Sequence, residues 1–172
     1  MPSFILHPPP SRAIVALGSN LGNSHEIIQA AFTHAKVITD HPILRSSIWE
    51  TMPVDCPPGS PNFLNAVVAF VPQKGETPES LLKKMHDLEK ILGRQPKKVL
   101  NEPRPLDLDL IAFGNEMRNT PELILPHPRA HLRRFVLQPL AEIAPELILP
   151  GQTKTVAELL AALTPDETIK RT

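Results

Sequence analysis

Apolar residues along the chain follow two rhythms. Residues 12–17, 63–71 and 106–113 are short, dense apolar runs bounded by turn residues, which predicts buried strands. Residues 43–51 predict a further strand, second in chain order. The other rhythm recurs every three or four positions. Ile27, Ile28, Ala31, Phe32 and Ala35 share one face of a helix that Ser24 would cap and that runs to Val37, as an amphipathic helix requires. Leu81, Leu82, Met85, Leu88 and Leu92 form the stripe of a second helix, opened by Thr77-Pro78-Glu79 and closed at Gly93. A capping hydroxyl, a proline in the first turn and an early acid suit a helix start, and glycine suits its end. Residues 18–23, 52–61 and 94–105 lack periodicity and read as loops, the middle one for its prolines and glycine. A short helix is expected over 133–143, limited or kinked by Pro139, and a last one over 155–163.

The order strand–helix–strand–strand–helix–strand is ferredoxin-like, with a helical C-terminal addition. It predicts an α+β fold in which helices cover a mainly antiparallel sheet. Residues 1–11, carrying Pro8, Pro9 and Pro10, read as a flexible leader before a single domain over 12–172.

Composition narrows the function classes. Eighteen basic residues balance eighteen acidic ones, so net charge is zero. A balanced chain gives no general attraction for nucleic acid or membrane, and any local clustering of charge is informative. No apolar run approaches the roughly 20 residues needed to span a bilayer, and the start lacks the features of a signal peptide. The single cysteine, Cys56, excludes a disulfide within the chain and points to the reducing cytoplasm. Cys56 has no positioned histidine and reads as a plain thiol. The scattered histidines show no zinc spacing, Trp49 reads as a packing residue, and Lys170 and Arg171 read as a solvated tail.

The sharpest chemical feature is Leu106-Asp107-Leu108-Asp109-Leu110. On a strand the leucines face one way and both aspartates the other, with the carboxylates about 7 Å apart at Cβ. Asp-x-Asp is also compatible with a solvated strand face, and glycosyl- and nucleotidyltransferases use it too. Its surroundings favour a hard divalent cation. Arg94, Lys97, Lys98 and Arg104 precede it, and His127, Arg129, Arg133 and Arg134 follow. An acidic pair bracketed by basic groups suits phosphoryl transfer, where magnesium and forked arginine donors share the phosphate charge. Glu89 stands out because it lies in a helix's last turn, where the helix dipole disfavours an acid, with Arg94 just beyond.

Four ordered stretches carry a resemblance: residues 16–22 (ALGSNLG), 61–66 (PNFLNA), 103–111 (PRPLDLDLI), and 126–129 (PHPR) leading to 133–140 (RRFVLQPL). Together they resemble the 6-hydroxymethyl-7,8-dihydropterin pyrophosphokinase family. The resemblance implies a three-layer α/β/α sandwich on the ferredoxin-like core. It also implies transfer of pyrophosphate from ATP to the hydroxymethyl group of 6-hydroxymethyl-7,8-dihydropterin, releasing AMP, in folate biosynthesis. It places two Mg²⁺ ions on Asp107 and Asp109, and catalytic roles on these and on Arg94 and Arg104. ATP contacts fall on Glu89, Arg94, Lys97, Arg104, His127 and Arg133. The pterin pocket falls on Asn20, Thr51, Pro53, Phe63, Asn65 and Phe135. A cytoplasmic monomer is expected, with these two small molecules as partners. Phe63 replaces a tyrosine frequent in the family, and Asn101-Glu102 stand where many members have Trp-Gly before Pro-Arg.

Overall fold

The computed structural model describes residues 11–166 and 168–172; the expected leader lies almost wholly outside them. Strand β1 (Ala13–Ser19) enters helix α1 (Ser24–Val37), and β2 (Leu44–Arg45), β3 (Trp49–Thr51) and β4 (Phe63–Phe70) follow. Helix α2 (Pro78–Ile91) leads to β5 (Asp107–Phe113), then a small hairpin of β6 (Arg118–Asn119) and β7 (Ile124–Leu125). A 3₁₀ turn (Ala130–Leu132) precedes α3 (Arg134–Ile143), α4 (Val156–Ala162) and β8 (Lys170–Arg171).

The main sheet runs β5-β1-β4-β3-β8, with β2 also on β4, and every pairing is antiparallel. Alternation along β1, β4 and β5 supplies two cores. Val15, Leu17, Val68, Phe70, Leu108 and Leu110 pack beneath Phe32 of α1 and Leu81 and Met85 of α2. Ile14, Ala16, Val67, Ala69 and Ile111 pack on the other side against Val136, Leu137 and Leu140 of α3 and Val156 of α4. The result is the expected helix–sheet–helix sandwich.

Three local expectations are corrected, and one element is added. The helix over 24–37 is capped by Asn23, whose side chain accepts from the Glu26 N–H at 3.3 Å; the Ser24 hydroxyl instead accepts from Ser19 at 2.7 Å. The strand over 43–51 is split, because Ser46 engages Val67 through both its backbone N–H (2.9 Å) and its hydroxyl (2.9 Å), interrupting the ladder. The β6–β7 hairpin has no counterpart among the expected elements, because strands of two residues are too short to show a period. Lys170 and Arg171 are not a free tail: they pair with Glu50 and Trp49 and cover the edge of β3.

Candidate active site

The two aspartates sit where the sequence pattern put them. Asp107 pairs with Gly18 and Asp109 with Ala16. Ala16 belongs to the core beneath α3 and α4, so both carboxylates lie on that side, at one end of the sheet. Leu106, Leu108 and Leu110 point into the opposite core. The bulge between Ile14 and Val15 lies beyond this register and leaves it undisturbed.

Helix α2 delivers Glu89 to the same place. Its stripe buries Leu81 and Met85, and Glu89 continues that stripe at the last turn, 4% exposed. The Arg94 guanidinium is hydrogen-bonded to the Glu89 carboxylate and donates to Asp107 Oδ1 at 2.8 Å. One cation thus serves two acids. Burial is the main force raising Glu89 to about 7; Arg94 opposes it, and Asp107 and Asp109 reinforce it. Asp109 is pushed up to about 6, first by burial and then by the charge of Asp107, against Arg133, Arg104 and Arg94. Both acids are therefore held toward the neutral form mainly by burial, and a further cation beside them would favour their charged form.

Arg104 approaches Asp107 Oδ2 with its Nε at 3.4 Å, yet that buried Nε has no hydrogen-bond partner among the described residues. A buried guanidinium donor without an acceptor is costly unless a ligand supplies one. The backbone of Arg104 is held firmly: its N–H donates to Asn20 Oδ1 at 2.9 Å, and its carbonyl accepts from Asn20 N–H at 3.1 Å. Asn20, 3% exposed, also donates to the Pro61 carbonyl at 3.2 Å. It therefore ties the 18–23 turn to both flanking loops. Arg94, Lys97 and Arg104 line a small cleft of about 60 Å³ with Glu102, which brings Lys97 to the site's rim although it is exposed.

His127 lies beside this cluster, anchored by its N–H to the Ile111 carbonyl at 2.9 Å. Its Nδ1 accepts from the Arg129 N–H at 3.1 Å, so the ring proton of the neutral form is assigned to Nε2. Burial, helped by Arg133 and Arg129, lowers its pKa to about 4. It is a neutral donor, not a cation.

The expected pterin residues gather only in part. Asn65 Nδ2 donates to Thr51 Oγ1 at 2.6 Å, and Phe63 is paired with Thr51 across β4 and β3. Gly18 leaves room for this packing: a Cβ there would stand 3.3 Å from Asn65 Oδ1, a tight contact, and 3.6 Å from Phe63, an ordinary one. Arg104 lies over the Phe63 ring at 5.4 Å, and Arg133 over Phe135 at 5.3 Å. The two arginines therefore join the aromatic residues to the acidic cluster. Pro53 is half-buried just beyond Thr51, with no bond or stacking contact to the rest of the set.

Two positioning roles are not legible in the sequence, that of Glu142 and that of Asn101, which the sequence marks only as a departure from the family pattern. Glu142 of α3 accepts from Trp49 Nε1 at 2.6 Å and from the Ser47 hydroxyl at 2.8 Å, fixing the start of β3 and hence Thr51. Asn101, at a φ of 54°, donates to the Asp55 carbonyl at 2.8 Å and joins the two long loops. Partners this far apart in sequence leave no local signal.

Among the described residues no group of three or more His, Cys, Asp or Glu forms a candidate metal cage. The donor set nonetheless suits magnesium, which uses one or two carboxylates and takes its other ligands from water and substrate phosphate.

Comparison with known proteins gives the family and the fold. Residues 14–145 match the family model of 7,8-dihydro-6-hydroxymethylpterin-pyrophosphokinase. A 2-amino-4-hydroxy-6-hydroxymethyldihydropteridine pyrophosphokinase from Haemophilus influenzae is 35% identical, over 92% of this chain and 96% of the relative. One of the same name from Pseudomonas aeruginosa is 37% identical, over 93% and 96%. The crystal structure of Plasmodium falciparum HPPK-DHPS with pteroate superposes with a TM-score of 0.72 at 12% identity, over 94% of this chain. The chain spans about half of that solved protein, 47% of its length, and at such low identity the likeness concerns the fold.

Proposed function

The chain belongs to the 7,8-dihydro-6-hydroxymethylpterin-pyrophosphokinase family, and from that premise we propose that it transfers pyrophosphate from ATP to the hydroxymethyl group of 6-hydroxymethyl-7,8-dihydropterin. It is a diphosphokinase of folate biosynthesis, as its relatives are. The observation that carries the nucleotide part of the reading is the arrangement around Asp107. One arginine bridges it to Glu89, and a second brings a buried Nε to 3.4 Å from it without forming a hydrogen bond among the described residues.

Two Mg²⁺ ions held by Asp107 and Asp109 would spread the charge of the triphosphate and the charge developing at the β-phosphorus. Arg94 and Arg104, now resting on Asp107, would turn their donors to phosphate oxygens. Glu89 would hold Arg94 in place, limiting the ordering cost of binding. The His127 Nε2–H donates to a phosphate oxygen as a neutral group, and Lys97 and Arg133 complete the cationic rim. The hydroxymethyl oxygen attacks the β-phosphorus in line and releases its proton to water, no side chain of the site being assigned as a dedicated base; the bond from that phosphorus to the α–β bridging oxygen breaks, and AMP departs.

For the pterin, Asn65 can donate and accept at the edge of the ring, supported by Thr51. Phe63 and Phe135 offer aromatic faces, and Pro53 would close the pocket from the loop side. The loops over 52–61 and 94–105 would exclude water, which competes for the same phosphorus.

The test is AMP formation, followed by ³¹P resonance, with ATP, Mg²⁺ and 6-hydroxymethyl-7,8-dihydropterin. Asp109→Ala should retain its fold and lose nearly all turnover. Normal turnover in that variant would remove the metal assignment. For Arg104→Ala the loss should fall on kcat; an effect on KM alone would indicate uniform ground-state binding.

A further inference from the structure

On the side of the sheet opposite Asp109, helices α1 and α2 stand apart. Helix α1 packs over β1 and β4, while α2 packs over β5. Between them lies a cavity of about 300 Å³, partly open to solvent, with Leu17 and Leu108 at its floor, Ala31 and Ala35 on one wall and Met85 and Leu88 on the other. The space exists because α1 presents alanines to it where longer side chains would reach across.

The chemistry of the cavity selects its occupant. Its lining is almost wholly apolar. The charged groups near its mouth already have partners: Lys84 Nζ meets Glu76 at 2.9 Å, and Asp87 meets Lys83 Nζ at 2.8 Å. His34 of α1, exposed, also borders the cavity, so one polar ring edges an otherwise apolar space. Apolar walls facing an empty space forgo dispersion contacts, and dry apolar cavities of about 150 Å³ take up benzene. A helix, about 10 Å across, is too thick to enter, so a small molecule fits better than a partner protein.

We infer that this cavity is a binding site, distinct from the substrate cleft, for an uncharged aromatic molecule of one or two rings, and that its occupancy is transmitted to the cleft. Leu108 at the floor stands between Asp107 and Asp109, and Leu88 on the wall adjoins Glu89. A ligand that repositions either leucine moves the backbone that carries the acids. The transmission rests on the nucleotide reading given above; the binding does not.

The test is titration of toluene into the full chain bearing ¹³C-methyl methionine. The Met85 resonance should shift saturably while those of Met52 and Met117, both exposed, stay in place. Ala35→Phe and, as a milder filling, Ala31→Leu should abolish the shift, with a cooperative urea-unfolding transition reporting that each variant is folded. A Met85 shift that never saturates, or that persists in both folded variants, overturns the site. At saturating toluene the Kd of a non-hydrolysable ATP analogue should change at least threefold in the native chain and not in the filled variants. An unchanged Kd overturns the transmission. Failure of the analogue to bind at all counts against the nucleotide reading and leaves the Met85 result standing.

Discussion

Arg94, in the loop just beyond α2, reaches back to grip Glu89, an acid buried in that helix's last turn. The contact reverses an unfavourable placement: a carboxylate at the negative end of a helix is tolerated because a guanidinium is held against it. Replacing Glu89 with Gln keeps a hydrogen-bond acceptor and removes the charge. The variant should raise the KM for ATP about tenfold, corresponding to about 1.4 kcal/mol, with a smaller change in the KM for pterin. Steady-state kinetics with each substrate varied in turn checks this.

The same residue gives a pH signature. Its folded-state pKa, about 7, lies above the ordinary 4.5, so the folded chain holds this proton more tightly than the unfolded chain. The stabilisation is complete below the ordinary value and is lost as pH rises to about 7. His127 works in the opposite direction: its pKa falls from 6.5 to about 4, so its contribution is lost as the solution is acidified through that window. Subtracting the Glu89→Gln profile from that of the native chain isolates the first effect. The native chain should lose on the order of 1–3 kcal/mol relative to the variant between pH 5 and 8, read by urea unfolding.

His127 itself should remain neutral throughout the physiological range. Its ring-proton resonance should not titrate between pH 5.5 and 8, and an inflection near 6.5 would contradict its burial beside two arginines.

Asp109→Asn removes one of two like charges sharing a sheet surface. Without divalent cations, the variant should unfold later than the native chain, by about 1–2 kcal/mol, while forming no AMP. Added Mg²⁺ should raise the Tm of the native chain and leave that of the variant unmoved. Thermal unfolding with and without the ion checks both halves.

Much of this was readable in the chain. Period-two leucines around Asp107 and Asp109 required both acids to share a face, and the stripe ending at Leu92 brought Glu89 toward the core. The paired strands emerged because their apolar runs are long. What stayed hidden depends on distant partners. Ser46 splits its strand because its hydroxyl meets Val67, and Lys170 finds Glu50 from the far end of the chain. Glu142 reads as an ordinary helix acid until Trp49 is placed against it.

That last contact is measurable. Glu142→Ala would strand the Trp49 indole N–H and free Ser47, at a cost of about 2–3 kcal/mol. Urea unfolding should show the loss, and Trp49 fluorescence should report a changed environment in the folded variant.

The bond from Asn101 to the Asp55 carbonyl has a kinetic corollary. The stretch over 94–105 and the stretch over 52–61, proposed above to flank the two substrates, are latched to one another at their crests, so neither swings open alone without giving up that bond. Entry of one reactant and entry of the other then draw on a common gate, and whatever loosens the latch changes the exchange of both.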